Sequence, residues 1–165
     1  MDPYSNPFSP GAGTPPPELA GREFILKKAD LLLARVLAGR AEKSFLMVGL
    51  RGVGKTVLLN SLKQRAESQG YRTILVECHE GKSLAALIAP GLRQLLFSLD
   101  RMENLSQKTR RGLAVLKSFL DGIKITINDI EFGIEAEKGA ADSGDIEADL
   151  PQLFTAVAEA AKDRK

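Results

Sequence analysis

Apolar residues first recur at helical spacing in the stretch that starts at Gly21. Ile25, Ala29, Leu32, Leu33, Val36 and Leu37 fall at three- and four-residue steps, and Gly39 is placed to stop the helix. The run Ser44-Phe45-Leu46-Met47-Val48 is short and continuously apolar, the pattern of a strand buried on both faces of a parallel sheet. A glycine-rich turn follows. A second helix comes next, with Leu58, Leu62 and Ala66 on one face and Gly70 as its C-cap. Tyr71–Glu77 then reads as a second strand, which completes a right-handed βαβ unit.

Ser83 is a plausible N-cap for a helix running to about Leu99, with Pro90 predicted to kink or interrupt it. A further helix is predicted over Thr109–Leu120. The period then changes to two. Ile123, Ile125 and Ile127 alternate with polar residues, as do Ile130, Phe132 and Ile134, and Asn128-Asp129 fits a hairpin turn. The last helix places Leu150, Leu153, Phe154, Val157, Ala158 and Ala161 on its buried side, with Pro151 tolerated only in its first turn. Six of the eight prolines precede residue 18, at 3, 7, 10, 15, 16 and 17. They fix φ and remove N–H donors, so residues 1–20 are predicted as an extended arm.

Composition narrows the function classes. The chain of 165 residues is 44% hydrophobic and 27% charged, enough for one core. A formal net charge of +2 does not by itself imply nucleic acid or an anionic membrane. Charge is uneven locally: residues 129–149 hold eight acidic groups and one lysine, a stretch read as solvated. The single cysteine, Cys78, excludes an intrachain disulfide, and one histidine, His79, argues against a structural zinc site. No apolar run reaches 18 residues and the N-terminus lacks the signature of a signal peptide. The expected setting is soluble, reducing and cytoplasmic, without a membrane.

One motif carries chemistry. Gly49-Leu50-Arg51-Gly52-Val53-Gly54-Lys55-Thr56 matches G-x-x-x-x-G-K-[ST], between an apolar run and an amphipathic helix. Glycines let the backbone turn tightly, successive N–H groups cradle phosphate oxygens, and the following helix adds its positive dipole end. Lys55 is placed to reach the β- and γ-phosphates, and the Thr56 hydroxyl to ligate Mg²⁺. Val57 continues the first turn beside them. No Asn-Lys-x-Asp occurs to read guanine, so the ligand read from the motif is ATP with Mg²⁺.

With the segment Leu19-Ala20-Gly21-Arg22-Glu23 upstream, the loop resembles that of the AAA-type ATPases related to origin-recognition-complex and signalling STAND ATPases. The resemblance implies a three-layer α/β P-loop fold with a parallel sheet core, over residues 21–165, carrying a small hairpin insertion at about 123–135. It also implies that Leu19, Ala20, Gly21 and Arg22 line the pocket for adenine and ribose, and that nucleotide state is converted into conformational change.

Such a hydrolase needs an apolar strand ending in paired carboxylates to hold Mg²⁺ and activate water. Glu77-Cys78, Leu99-Asp100 and Asn128-Asp129 each depart from that pattern. The chain ends where the family would place the acidic strand, so it reads as the N-terminal part of an ATPase module. The rest of the ATPase, or a protein partner, would fill the open sheet position. Turnover by this chain stays open. Three other readings remain: a signalling or binding module without turnover, a P-loop small-molecule kinase, and DNA binding by analogy of fold; Arg110-Arg111 could touch nucleic acid, but on a balanced chain they read as a solvated helix face.

Overall fold

Five helices account for all the regular secondary structure among the described residues, 21–100, 105–125 and 133–162 of a computed structural model. They are α1 (Glu23–Leu37), α2 (Lys55–Ser68), α3 (Leu84–Leu99), α4 (Gln107–Gly122) and α5 (Ile146–Lys162). The chain divides into two compact units, Met1–Thr73 and Ile74–Lys165.

The expected parallel sheet is not present: no strand forms among the described residues. Ser44–Val48 and Tyr71–Glu77 are irregular, and Leu46 and Val48 are 88% and 86% exposed. The physical reason lies in where hydrogen bonds come from. A helix satisfies its N–H and C=O groups within four residues, whereas a strand needs a partner far along the chain. An apolar run records a need for burial but names no partner. The predicted hairpin lies largely outside the described residues, which omit 126–132. Its start is corrected: Ile123 is the C-cap of α4, and Lys124 adopts φ 54° in a left-handed turn.

In the first unit α1 and α2 pack together, and both end in the same way. Gly39 and Gly70 take φ of 76° and 87°, conformations that favour glycine. At each, the next amide reaches back to close the helix, Arg40 N–H to Arg35 O at 3.0 Å and Tyr71 N–H to Ala66 O at 3.0 Å. Two further bonds tie the pair. Arg65 Nη1 meets Asp30 Oδ2 at 2.6 Å, and the Tyr71 hydroxyl donates to Leu33 O at 2.6 Å. A hydrogen bond from Lys63, joined by one from Thr73, holds the exposed Glu67 carboxyl below its ordinary range.

The second unit is a three-helix bundle of α3, α4 and α5. Its centre is Leu92, Leu96, Leu113, Leu116, Phe119 and Leu153. Gly112 permits close packing there, since a Cβ at that position would lie 2.8 Å from a Leu96 methyl. Ser83 caps α3, accepting from Ala86 N–H at 3.3 Å, and α3 runs on through Pro90, which sits on an exposed face of the helix. Pro151 is likewise accommodated on an exposed face, but in the second turn of α5 and not the first. The buried side of α5 is Asp149, Leu153, Ala156, Val157 and Ala160, while Phe154 and Ala158 are exposed. The predicted face was therefore rotated, because its apolar residues extend beyond the stripe that α3 and α4 can cover.

Two local features set measurable stability. Asp149 is fully buried and accepts from Ser143 Oγ at 2.9 Å and Gly144 N–H at 3.0 Å, so it fastens the loop ahead of α5. Asp149→Ala should lower the unfolding free energy by about 1–3 kcal/mol in urea denaturation, the cost of two orphaned donors. Lys124 holds a left-handed conformation that costs an L-residue roughly 1–2 kcal/mol. Lys124→Gly should therefore raise the urea midpoint, whereas Lys124→Val should lower it.

Candidate functional site

The turn Gly49–Gly54 leads into α2 with two left-handed residues, Gly52 at φ 85° and Gly54 at φ 83°. A Cβ at either would strain the backbone. Gly54 is the N-cap of α2 and offers no side chain, so no side-chain hydrogen bond caps this helix end. The first intrahelical bond is Leu58 N–H to Gly54 O at 3.0 Å. The N–H groups of Lys55, Thr56 and Val57 thus precede the helical ladder and stand at the positive end of the α2 dipole. Such an end is a ready site for an anion.

Lys55 is half-buried, and its ammonium donates to two carbonyls of its own loop, Gly49 O at 2.8 Å and Leu50 O at 2.7 Å. Two of its three donors therefore shape the turn. Its full charge stays beside the helix end, and one donor is left over for a ligand oxygen. Leu50, Arg51 and Thr56 are exposed, and Val57 is half-buried.

Of the upstream residues predicted to line a base pocket, Leu19 and Ala20 lie outside the described residues. Gly21 is exposed, at φ 75°, and its N–H donates to Glu23 Oε1 at 3.2 Å. Arg22 is the N-cap of α1, and its guanidinium donates to Val53 O, inside the glycine-rich turn, at 2.9 Å.

A cleft of about 270 Å³ opens beside the turn. Arg22, Phe24, Ile25 and Lys28 of the α1 region line it, with Phe45–Val48, Val53, Gly54, Lys55 and Leu58. Its walls are chiefly apolar with three cations, and Lys28 lies 5.6 Å from the centre of the Phe45 ring. The cleft is near the small end of ligand pockets, which run from roughly 300 Å³ upward. It matches a flat ring better than a whole nucleotide.

Sequence reasoning missed Phe24, Lys28 and Phe45–Val48 as cleft residues. Phe24 carried a signal, since it falls off the apolar face of α1 and is 78% exposed. The apolar run Phe45–Val48 reads as the interior of a sheet, which masks its place on the cleft wall.

The remaining candidates have structural surroundings. Asp100 accepts from the Thr109 hydroxyl at 2.6 Å and from Ser106 N–H at 3.0 Å, which anchors the start of α4. Arg111 pairs with Glu137 and Glu159, and Arg110 donates to Leu105 O at 3.2 Å. Cys78 and His79 are exposed in the second unit. Among the described residues no group of three or more His, Cys, Asp or Glu side chains is placed to hold a metal. No helix among them is long and apolar enough to cross a membrane.

Comparison with known proteins gives one family. A family model described as the AAA ATPase domain matches residues 18–165, nearly the whole chain. No curated protein and no solved structure matches it. The match begins just ahead of Arg22 and takes in the turn, the cleft and all five helices, so the chain belongs to the AAA ATPase domain family.

Proposed function

We propose that this chain binds ATP with Mg²⁺ through the loop Gly49–Thr56, and that the cleft beside Phe24 and Phe45 takes the base. The observation that carries this reading is the convergence at the start of α2. Uncapped N–H groups, a helix dipole and the Lys55 ammonium meet where glycines hold the backbone open. Each of these favours a polyphosphate, and together they favour it over a singly charged anion. Membership of the AAA ATPase domain family supports a nucleoside triphosphate as that polyphosphate.

Thr56 fits the metal. Mg²⁺ prefers an oxygen octahedron built largely from phosphate and water, with one or two protein ligands. An exposed hydroxyl directly after Lys55 can supply one such ligand without a carboxylate cluster. When bound, Mg²⁺ neutralises charge on the β- and γ-phosphates. The chain's own share is to hold the phosphates by backbone N–H groups and Lys55, and to seat the base against apolar side chains.

Turnover is slow in this reading. No apolar run of the sequence ends in the paired carboxylates that would hold Mg²⁺ and activate water. Nucleotide state would then act by ordering the loop and α2, which is how the chain would contribute to an ATPase that couples binding to conformational change.

Fluorescence titration with a labelled ATP analogue and Mg²⁺ tests the reading. Lys55→Ala should weaken binding by about 10- to 100-fold, the worth of a charged hydrogen bond, while leaving the melting temperature within a few degrees of wild type. Equal affinity of wild type and Lys55→Ala would overturn the loop as the phosphate site. Rapid phosphate release that Lys55→Ala abolishes would overturn slow turnover alone.

A further inference from the structure

We propose that Arg22 is a positioning residue for the phosphate loop, and that its main action is on the backbone of that loop and not on the base. The inference rests on the triphosphate reading of Gly49–Thr56. Arg22 Nη2 donates to Val53 O at 2.9 Å, across 31 residues of sequence. A trans peptide is planar, with its C=O and N–H opposed. Holding the Val53 carbonyl toward Arg22 therefore turns the Gly54 N–H the opposite way, immediately ahead of the uncapped N–H groups of α2. Gly54, at φ 83°, has little side-chain constraint of its own to fix that orientation.

The base from which Arg22 acts is firm. Its carbonyl accepts the first helical bond of α1, from Leu26 N–H at 3.0 Å. The ion pair of Arg65 with Asp30 and the bond from Tyr71 to Leu33 O hold α1 against α2. The guanidinium is thus delivered to the loop from the helix that packs on the loop's own helix. Arg22 also lines the cleft. Of its five N–H donors the bond to Val53 uses one, so the same side chain links the cleft to the orientation of a loop amide.

The test separates a phosphate effect from a base effect. Affinities of the full chain for Mg²⁺-tripolyphosphate, which has no base, and for Mg²⁺-ATP are measured by calorimetry for wild type, Arg22→Ala and Arg22→Lys, with melting curves for each. Arg22→Ala should weaken both ligands by the same factor, about tenfold, with an unchanged melting curve, and Arg22→Lys should recover part of the loss. Should Arg22→Ala melt below the assay temperature, Arg22→Gln carries the comparison, since it keeps most of the reach without the charge. A loss confined to ATP, with tripolyphosphate unaffected, would make Arg22 a base contact and overturn the proposal. Binding of both ligands that depends on Lys55 but not on Arg22 would overturn it too, and leave the phosphate-loop reading intact. Wild-type binding that does not depend on Lys55 would instead remove that reading, and this inference with it.

Discussion

The backbone between Gly49 and Lys55 must reverse direction through two left-handed residues and enter a helix without a capping side chain. The site depends on that one constraint. Gly52 and Gly54 meet it because neither carries a Cβ. A Ser or Asp at the N-cap would satisfy an N–H of α2 internally and so compete with any anion. Glycine leaves those donors to a ligand. Two cations then finish the turn from outside its own backbone: Lys55 collects the carbonyls of Gly49 and Leu50, and Arg22 takes that of Val53. Carbonyls gathered onto cations are carbonyls kept from repelling an anion at that helix end.

The two units meet their hydrogen-bond and burial needs differently. In the second, three helices enclose a core of leucines around Phe119, and polar residues work as fasteners at the loop ends. Asp100 ties the entry to α4 and Asp149 ties the entry to α5, each accepting from a hydroxyl and a backbone N–H. In the first unit the buried residues described are Leu26, Ala29, Leu58 and Ala66, and the Arg65–Asp30 pair and the Tyr71 hydroxyl bond to Leu33 hold α1 to α2. Its apolar segment Phe45–Val48 is used as a wall of the cleft and stays largely open to solvent. Apolar surface left open beside a cationic turn is what a ligand with a flat ring and a charged tail requires.

Much of this was legible along the chain, and the division follows the range of the interactions. The glycine turn into α2 was readable from eight consecutive residues because its backbone geometry is decided locally. Helix existence was readable too, along with the stops at Gly39 and Gly70 and the cap at Ser83, since each is decided within one turn. The cap of α4 at Ser106 was missed, although Ser106 and Thr109 stand at the spacing of a reciprocal cap. Strands at Ser44–Val48 and Tyr71–Glu77 were wrongly expected, because ladder partners are not written in the run itself. The bond from Arg22 to Val53 could not be read at all, as nothing local marks two residues 31 apart as neighbours. The face of α5 was misjudged because an apolar residue such as Phe154 can lie in solvent at little cost.

The central claim is that the α2 end of the glycine turn receives the phosphates. Backbone amide NMR during titration with Mg²⁺-ATP tests it most directly, because the N–H groups are themselves the proposed ligands. The account predicts that the largest shifts fall on Gly52, Gly54, Lys55 and Thr56, with smaller ones on Phe24 and Phe45 as the base enters the cleft. Saturable shifts that gather instead on α4 or α5, with the amides of Gly54–Thr56 unmoved, would contradict it.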